Sequence, residues 1–362
     1  MKRITKCILR KSLDLWSRCG LTAPYRRRMK GACILMYHGF TRGRNKGLEN
    51  NSNLHLDIEG FRQSAAMLAK HYHVIPLHEL AERIQAGDPV DDNTVVLTFD
   101  DGYASNYHLA LPVLKEFGLH ATIFVPTAFV EREIYQWPDR IEYAIARTQL
   151  DRINLEFPGL PENLDVSSTG KRRIALQVLD QGIKLIPQDK HLASIAHIEE
   201  RAGAALSQEE SPAEIYRALT WAQIRALEAS GHVSIGAHTH SHLILARCSP
   251  EVARRDVGKC LDLLRTMAGI ENPTFAYPNG QPGDYNDSTK RLLMDLGISV
   301  AVTTNMDFNL SDSDPMLLNR MGSPRNGHEA DAICSGLIPA IKQQISKRTS
   351  LVPHSNSHAH AD

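Results

Sequence analysis

A chain of 362 residues with 42% apolar and 23% charged residues has the composition of an ordinary globular protein and the length for a large core. Its 41 basic and 41 acidic residues cancel, which argues against nucleic acid as a partner of the whole molecule. No apolar run reaches the ~18 residues that a membrane-spanning helix needs, and six cysteines at 7, 19, 33, 248, 260 and 334 outline no disulfide framework, as in a reducing compartment.

Residues 1–30 hold ten Lys or Arg against Asp14 alone. Apolar residues at 4, 8, 9, 13 and 16 fall near one helical face, and Arg10, Lys11 and Asp14 interrupt what a secretory signal would need unbroken. The segment reads as a basic amphipathic helix, suited to an anionic membrane surface or to packing on the body of the protein. The expected location is cytoplasmic or peripheral on the cytoplasmic membrane face.

From residue 31 the chain alternates. Strand-like stretches at 33–38, 72–77, 95–100, 120–126, 232–238, 274–278, 298–304 and 316–321 are separated by helical patterns near 59–70, 78–86, 105–117, 220–230, 250–268 and 285–296. Such alternation predicts parallel strands with right-handed helical crossovers. In a β/α barrel the C-terminal strand ends converge on the face where active sites are built. The first stretch ends in Tyr37-His38, and the third in Asp100-Asp101-Gly102. Two adjacent carboxylates raise at least one pKa unless a cation intervenes. Side chains alternate along a strand, so one aspartate can ligate a metal while the other handles a proton.

Residues 137–219 break the rhythm with helical patterns at 170–186 and 190–206, and read as an inserted helical subdomain beside the active face. Beyond it, the strand at 232–238 runs into His238-Thr239-His240-Ser241-His242. Histidines at i and i+4 share a face if the backbone turns helically there, a spacing that suits one metal. Two imidazoles and one carboxylate leave positions open for water and substrate. The spacing nominates His238 and His242 with one aspartate and does not exclude His240. Residues 346–362 are polar and patternless and read as a disordered tail, leaving 31–345 as one domain.

The segments Thr98-Phe99-Asp100-Asp101-Gly102-Tyr103 and His238-Thr239-His240-Ser241-His242 resemble the first two motifs of the polysaccharide deacetylase family, which carries the NodB-like homology domain. The resemblance spans roughly residues 31 to 325. It implies an α/β fold, a distorted (β/α) barrel of the polysaccharide deacetylase type, with Asp100 as catalytic base. Asp101, His238 and His242 would then ligate a divalent metal, zinc first, with nickel, cobalt, iron and manganese as alternatives. Thr274-Phe275-Ala276-Tyr277-Pro278-Asn279-Gly280 resembles the family's Arg-Pro-Pro-Tyr-Gly segment, whose backbone amide helps form an oxyanion hole; here that amide belongs to Asn279. This copy carries Ala276 where the family has an arginine contacting the base. Arg320 is the substitute the sequence offers, against its reading as an ordinary surface arginine.

The family's late leucine-histidine motif, source of the general acid, is not visible. Cys33-Ile34-Leu35-Met36-Tyr37-His38-Gly39 resembles instead a circularly permuted branch in which an N-terminal Tyr-His donates that group, making His38 the expected acid. The implied function is metal-dependent hydrolysis of N-acetyl groups from a carbohydrate, with Trp137 available to stack on a sugar or fill the core. The alternatives are an O-deacetylase, a deformylase acting on a lipid-linked sugar, and a barrel that binds glycan without catalysis. A glycosidase is disfavoured, because its two carboxyls stand about 5–10 Å apart across a sugar.

Overall fold

The computed structural model describes residues 22–43, 47–206 and 213–337. Most of the basic segment (residues 1–21) and the expected tail at 346–362 lie outside the described residues. In chain order the strands are β1 (Cys33–Tyr37), β2 (Gly39–Thr41), β3 (His55–Asp57), β4 (His73–Val74), β5 (Thr94–Phe99), β6 (Ala121–Val125), β7 (Arg152–Asn154), β8 (Asn163–Asp165), β9 (Val233–Ala237), β10 (Phe275–Ala276) and β11 (Ala301–Val302).

The main sheet runs β1-β5-β6-β9-β10-β11, with β4 joined to the start of β5. Every pairing in it is parallel, so its strands are linked by crossovers packed against its outer surface. The stretches β5 and β6, Thr-Val-Val-Leu-Thr-Phe and Ala-Thr-Ile-Phe-Val, are buried at every position. Such runs suit strands covered on both faces.

Three expected strands are realised as only two residues each, and the expected strand at 316–321 is not a ladder. There Leu318 bridges Val302 and Met321 bridges Leu35, both in parallel sense. The Asn319 amide donates instead to the Asn309 side chain at 2.8 Å, and the Arg320 amide to the Asn305 carbonyl at 2.9 Å. These diversions interrupt regular pairing, yet the segment still touches both edge strands and closes the ring.

Period-two alternation sorts the strand residues. Ile34, Val96, Phe124, Ala276, Val302 and Leu318 form one buried cluster, capped by Leu77, Leu80 and Ile84 of the helix Leu77–Ala86. Their neighbours Leu35, Leu97, Ile123, Ile235 and Phe275 belong to a second cluster together with the outer helices. Residues in phase with Val96 and Leu318 at the strand ends, Asp100 and Arg320, therefore face the same interior.

Between β6 and β9 lie helices Trp137–Arg147, Thr169–Ile183 and Gln188–Ala202 and the antiparallel hairpin β7–β8. They share an apolar cluster of their own, with Ile145, Ile153, Leu164, Leu179, Ile195 and Ile198 at its centre. A bidentate pair between Arg140 and Glu199, 2.9 and 2.5 Å, joins the first helix to the third. None of the helices among the described residues is long and apolar enough to cross a membrane.

Candidate active site

Asp100 follows β5, and its amide donates to the Tyr37 carbonyl at 2.9 Å. That bond keys the end of β1 to the end of β5 and brings His38 beside the aspartate pair. Asp101 turns into the left-handed region at φ 70°, which separates the two carboxylates. Gly102 follows at φ 63°, and a Cβ there would stand 2.8 Å from Val125 Cγ1. The turn thus requires glycine both for its dihedral and for its close approach to β6.

The Asp100 carboxylate is gripped by Arg320, with Nη1–Oδ1 at 2.7 Å and Nη2–Oδ2 at 2.8 Å. Arg320 is 1% exposed. Its Nε donates to the Thr303 carbonyl at 2.8 Å, and its guanidinium lies 5.8 Å from the Phe124 ring centroid. Burial alone would raise the Asp100 carboxyl, but the Arg320 charge, with the hydrogen bonds from its guanidinium, outweighs it and holds the group below its usual range. Arg320 is therefore no surface arginine: it lies buried against the Asp100 carboxylate.

His238 and His242 meet with ring centroids 4.8 Å apart. The helical turn that their spacing presupposes does not form. Thr239 (φ 62°) and His242 (φ 56°) adopt left-handed backbone instead. The turn is anchored by Asp256, whose Oδ1 accepts from the His240 amide at 2.8 Å. Left-handed non-glycine residues are uncommon and concentrate where surrounding structure over-determines them; Asn279, at φ 61°, is another in this site.

The donor set fits a divalent ion. Ligand atoms of Asp101, His238 and His242 all lie within 4.8 Å of one another. The imidazole Nε2 atoms of His242 and His238 stand 3.3 and 3.7 Å from Asp101 Oδ1, and that buried oxygen has no hydrogen-bond partner among the described residues. Ligands about 2.1 Å from a tetrahedral ion stand roughly 3.4 Å apart. His238 Nδ1 faces the Ala276 carbonyl at 2.7 Å; donating there leaves the Nε2 lone pair free, the orientation of a ligating imidazole. Burial and the neighbouring His242 push the His238 pKa down to about 4, keeping it neutral. His240 is committed elsewhere: its Nε2 pairs with Glu133 at 3.0 Å and its Nδ1 with Thr127 at 2.8 Å. That geometry separates the middle histidine from the outer two, which spacing could not do.

A cavity of about 380 Å³ opens on this group, lined by His38, Asp100, Asp101, His238, His242 and Asn279 among others. All six sequence-nominated residues thus face one space. The backbone N–H of Asn279 meets no acceptor among the described residues, while its side chain donates to Asp284 and its carbonyl accepts from Thr304 Oγ1 at 2.9 Å. The opposite wall comes from the helical insertion, including Gln136, Trp137, Lys184, Gln188 and His191. Apart from Trp137, these escaped sequence reasoning because polar residues on amphipathic helices carry no motif.

A family profile described as polysaccharide deacetylase matches residues 87–156 and 176–301, more than half of the chain. YxkH of Bacillus subtilis, named as a polysaccharide deacetylase, is 32% identical over 93 residues, 25% of this chain and 30% of that protein. The match thus spans under a third of that relative's length. The fold is similar to that of the Streptococcus pyogenes deacetylase PplD solved with acetate, at TM-score 0.55 and 20% identity over 84% of this chain and 97% of that one. It is equally similar to IcaB from Ammonifex degensii, at TM-score 0.55 and 17% identity over 85% and 98% of the respective chains.

Proposed function

The chain belongs to the polysaccharide deacetylase family, and from that premise we propose that it hydrolyses N-acetyl groups on a carbohydrate, releasing acetate and a free amine. One observation carries the reading: a buried Asp101–His238–His242 donor set beside an aspartate held ionised by Arg320, opening into one cavity. A divalent ion, zinc on this donor set, would be held by Asp101, His238 and His242, and would supply a lowered water pKa and charge stabilisation when bound.

The remaining work falls to the protein's own groups. Asp100 accepts the proton of the attacking water, and its bidentate bonds to Arg320 fix both oxygens for that task. As the water oxygen bonds to the acetyl carbon, the Asn279 N–H donates to the developing oxyanion, a contribution of typically about 10²–10³ in rate. His38, on the same cavity wall, protonates the amine nitrogen as the C–N bond breaks. The acid–base pair is thus divided between the ends of β5 and β1. Arg320 bears against the reading of a catalytically empty barrel, since it supplies the cation that Ala276 lacks.

The test is acetate release from a panel of N- and O-acetylated glycans, with metal stripped and restored. Activity on N-acetylated members that is lost on stripping and regained with zinc supports the reading; activity on O-acetylated members alone rejects it. Asp100→Asn should keep its metal yet lose turnover by about 10²–10⁴, the usual weight of acid–base catalysis.

A further inference from the structure

Asp284 is a buried acid that the chemistry above does not use. It is 2% exposed, and both of its carboxylate oxygens are engaged. Oδ2 accepts from the Asn279 side chain and from the Gln281 amide at 3.0 Å. Oδ1 accepts from Arg247 Nη2 at 2.9 Å, and the Asp284 carbonyl accepts from the Ala246 amide at 3.2 Å. One residue thus joins two loops of the site. The first carries the Asn279 N–H, and the second, Leu245–Arg247, begins three residues after His242.

The Asn279 turn needs such support. The Gly280 amide donates to the Pro278 carbonyl at 2.7 Å, across a central residue whose φ is 61°. A bond from i+2 back to i with a left-handed residue between is a γ-turn of the rare, strained kind. A side chain makes that backbone unfavourable, and it persists only where the surroundings hold it. The peptide after Asn279 is held by Thr304, whose Oγ1 donates to the Asn279 carbonyl at 2.9 Å. The peptide before it carries the N–H that meets no acceptor among the described residues, and its carbonyl is bonded only within the turn. The grip of Asp284 on the Asn279 side chain therefore stands against relaxation on that side.

Resting on the deacetylase reading, we propose that Asp284 is a positioning residue, which holds the strained turn closed and keeps the Asn279 N–H on the cavity wall where the oxyanion develops. Its bond to Arg247 extends that hold to the loop after His242, so the oxyanion donor and the Asp101–His238–His242 group are set relative to one another. A displaced donor costs turnover rather than affinity, because the oxyanion exists only in the transition state.

Asp284→Ala removes the acceptor, and Asn279→Ala removes its donor while keeping the backbone N–H. Each should lower kcat/KM for an N-acetylated sugar by about 10²-fold, the scale of an ångström of misplacement, through kcat rather than KM. The double variant should fall no further than the worse single, because both changes break the same bond. Losses that multiply overturn the proposal, since Asp284 would then act through its other partners. A phosphonate that mimics the tetrahedral intermediate gives a second reading, because an inhibition constant does not depend on how much of the protein is active. Its Ki should rise by the same factor in the zinc-loaded variants, and an unchanged constant rejects the positioning role. Crystal structures separate this proposal from the deacetylase reading. Residue 279 should leave the left-handed region in both single variants, and if one fails to fold the other decides. A turn that keeps its wild-type φ overturns the proposal even if wild-type enzyme releases no acetate, an outcome that would reject the deacetylase reading by itself.

Discussion

At the scale of single residues, the Asp100–Arg320 pair makes the sharpest demands. Both partners are buried, and removing one leaves an uncompensated charge, which costs about 3–5 kcal/mol. Arg320→Met should lose about that much in urea unfolding. With the guanidinium gone, burial acts unopposed by its largest counterweight and the Asp100 carboxyl rises from its depressed position. A base works only when ionised, so the acidic limb of the pH–rate profile should move to higher pH; an unmoved limb would mean that Asp100 is not the group titrating. His38 offers a second test. A general acid matters most for a poor leaving group, so His38→Gln should slow N-acetyl release far more than cleavage of an activated aryl acetate. Equal losses would assign His38 a structural role. The sequence suggested Arg320 only through the gap at Ala276. Its contact partner lies 220 positions away, beyond any local pattern.

At the scale of elements, the helix Trp137–Arg147 is keyed to the catalytic end of the barrel through buried acids. Asp139 accepts from Tyr103 Oη at 2.9 Å, and Tyr103 closes the turn that carries the aspartate pair. One turn on, Glu142 accepts from the amides of Asn50 and Asn51 at 2.7 and 2.5 Å and from Tyr216 Oη at 3.1 Å. It thereby holds the loop whose Asn51 and Ser52 line the cavity. Burial, then the nearby Glu142 charge, raises the Asp139 carboxyl well above its ordinary range. A carboxyl raised in the folded state favours folding fully below its unfolded pKa, and that contribution is lost as pH rises toward the folded value. Asp139→Asn removes the titration while keeping an oxygen for Tyr103. Its Tm should therefore exceed wild type at pH 8 and converge with it near pH 4. One raised unit is about 1.4 kcal/mol, a shift on the order of 2 °C in a protein of this size. A constant difference across that range would contradict the buried-acid assignment.

At the scale of the whole molecule, the proposed metal centre joins β5 to β9, strand ends brought together by the sheet order. Any ion bound to the folded state alone stabilises it by about 2.7 kcal/mol at a hundred times Kd. Zinc should therefore raise the Tm of wild type and of His240→Ala, but not of His242→Ala or Asp101→Ala. A zinc response surviving in His242→Ala would remove that residue from the donor set. The sequence by itself determined the alternating α/β plan, the ends of β1, β5 and β9, and six of the residues facing the cavity. Those features are local: buried β-branched runs, abrupt Asp-Asp-Gly and His-x-x-x-His endings, and a resemblance carried by contiguous motifs. Tertiary structure decided the rest. The closing segment 316–321 looked like a strand because of its short apolar run Met316-Leu317-Leu318, but the amides of Asn319 and Arg320 bond elsewhere. Likewise, left-handed turns rather than a helix bring His238 to His242, and Glu133 and Thr127 take His240 away. Which arginine meets Asp100, and which polar side chains of the insertion face the cavity, depend on contacts between distant segments. A one-dimensional pattern does not encode them, since their geometry exists only once the ring has closed.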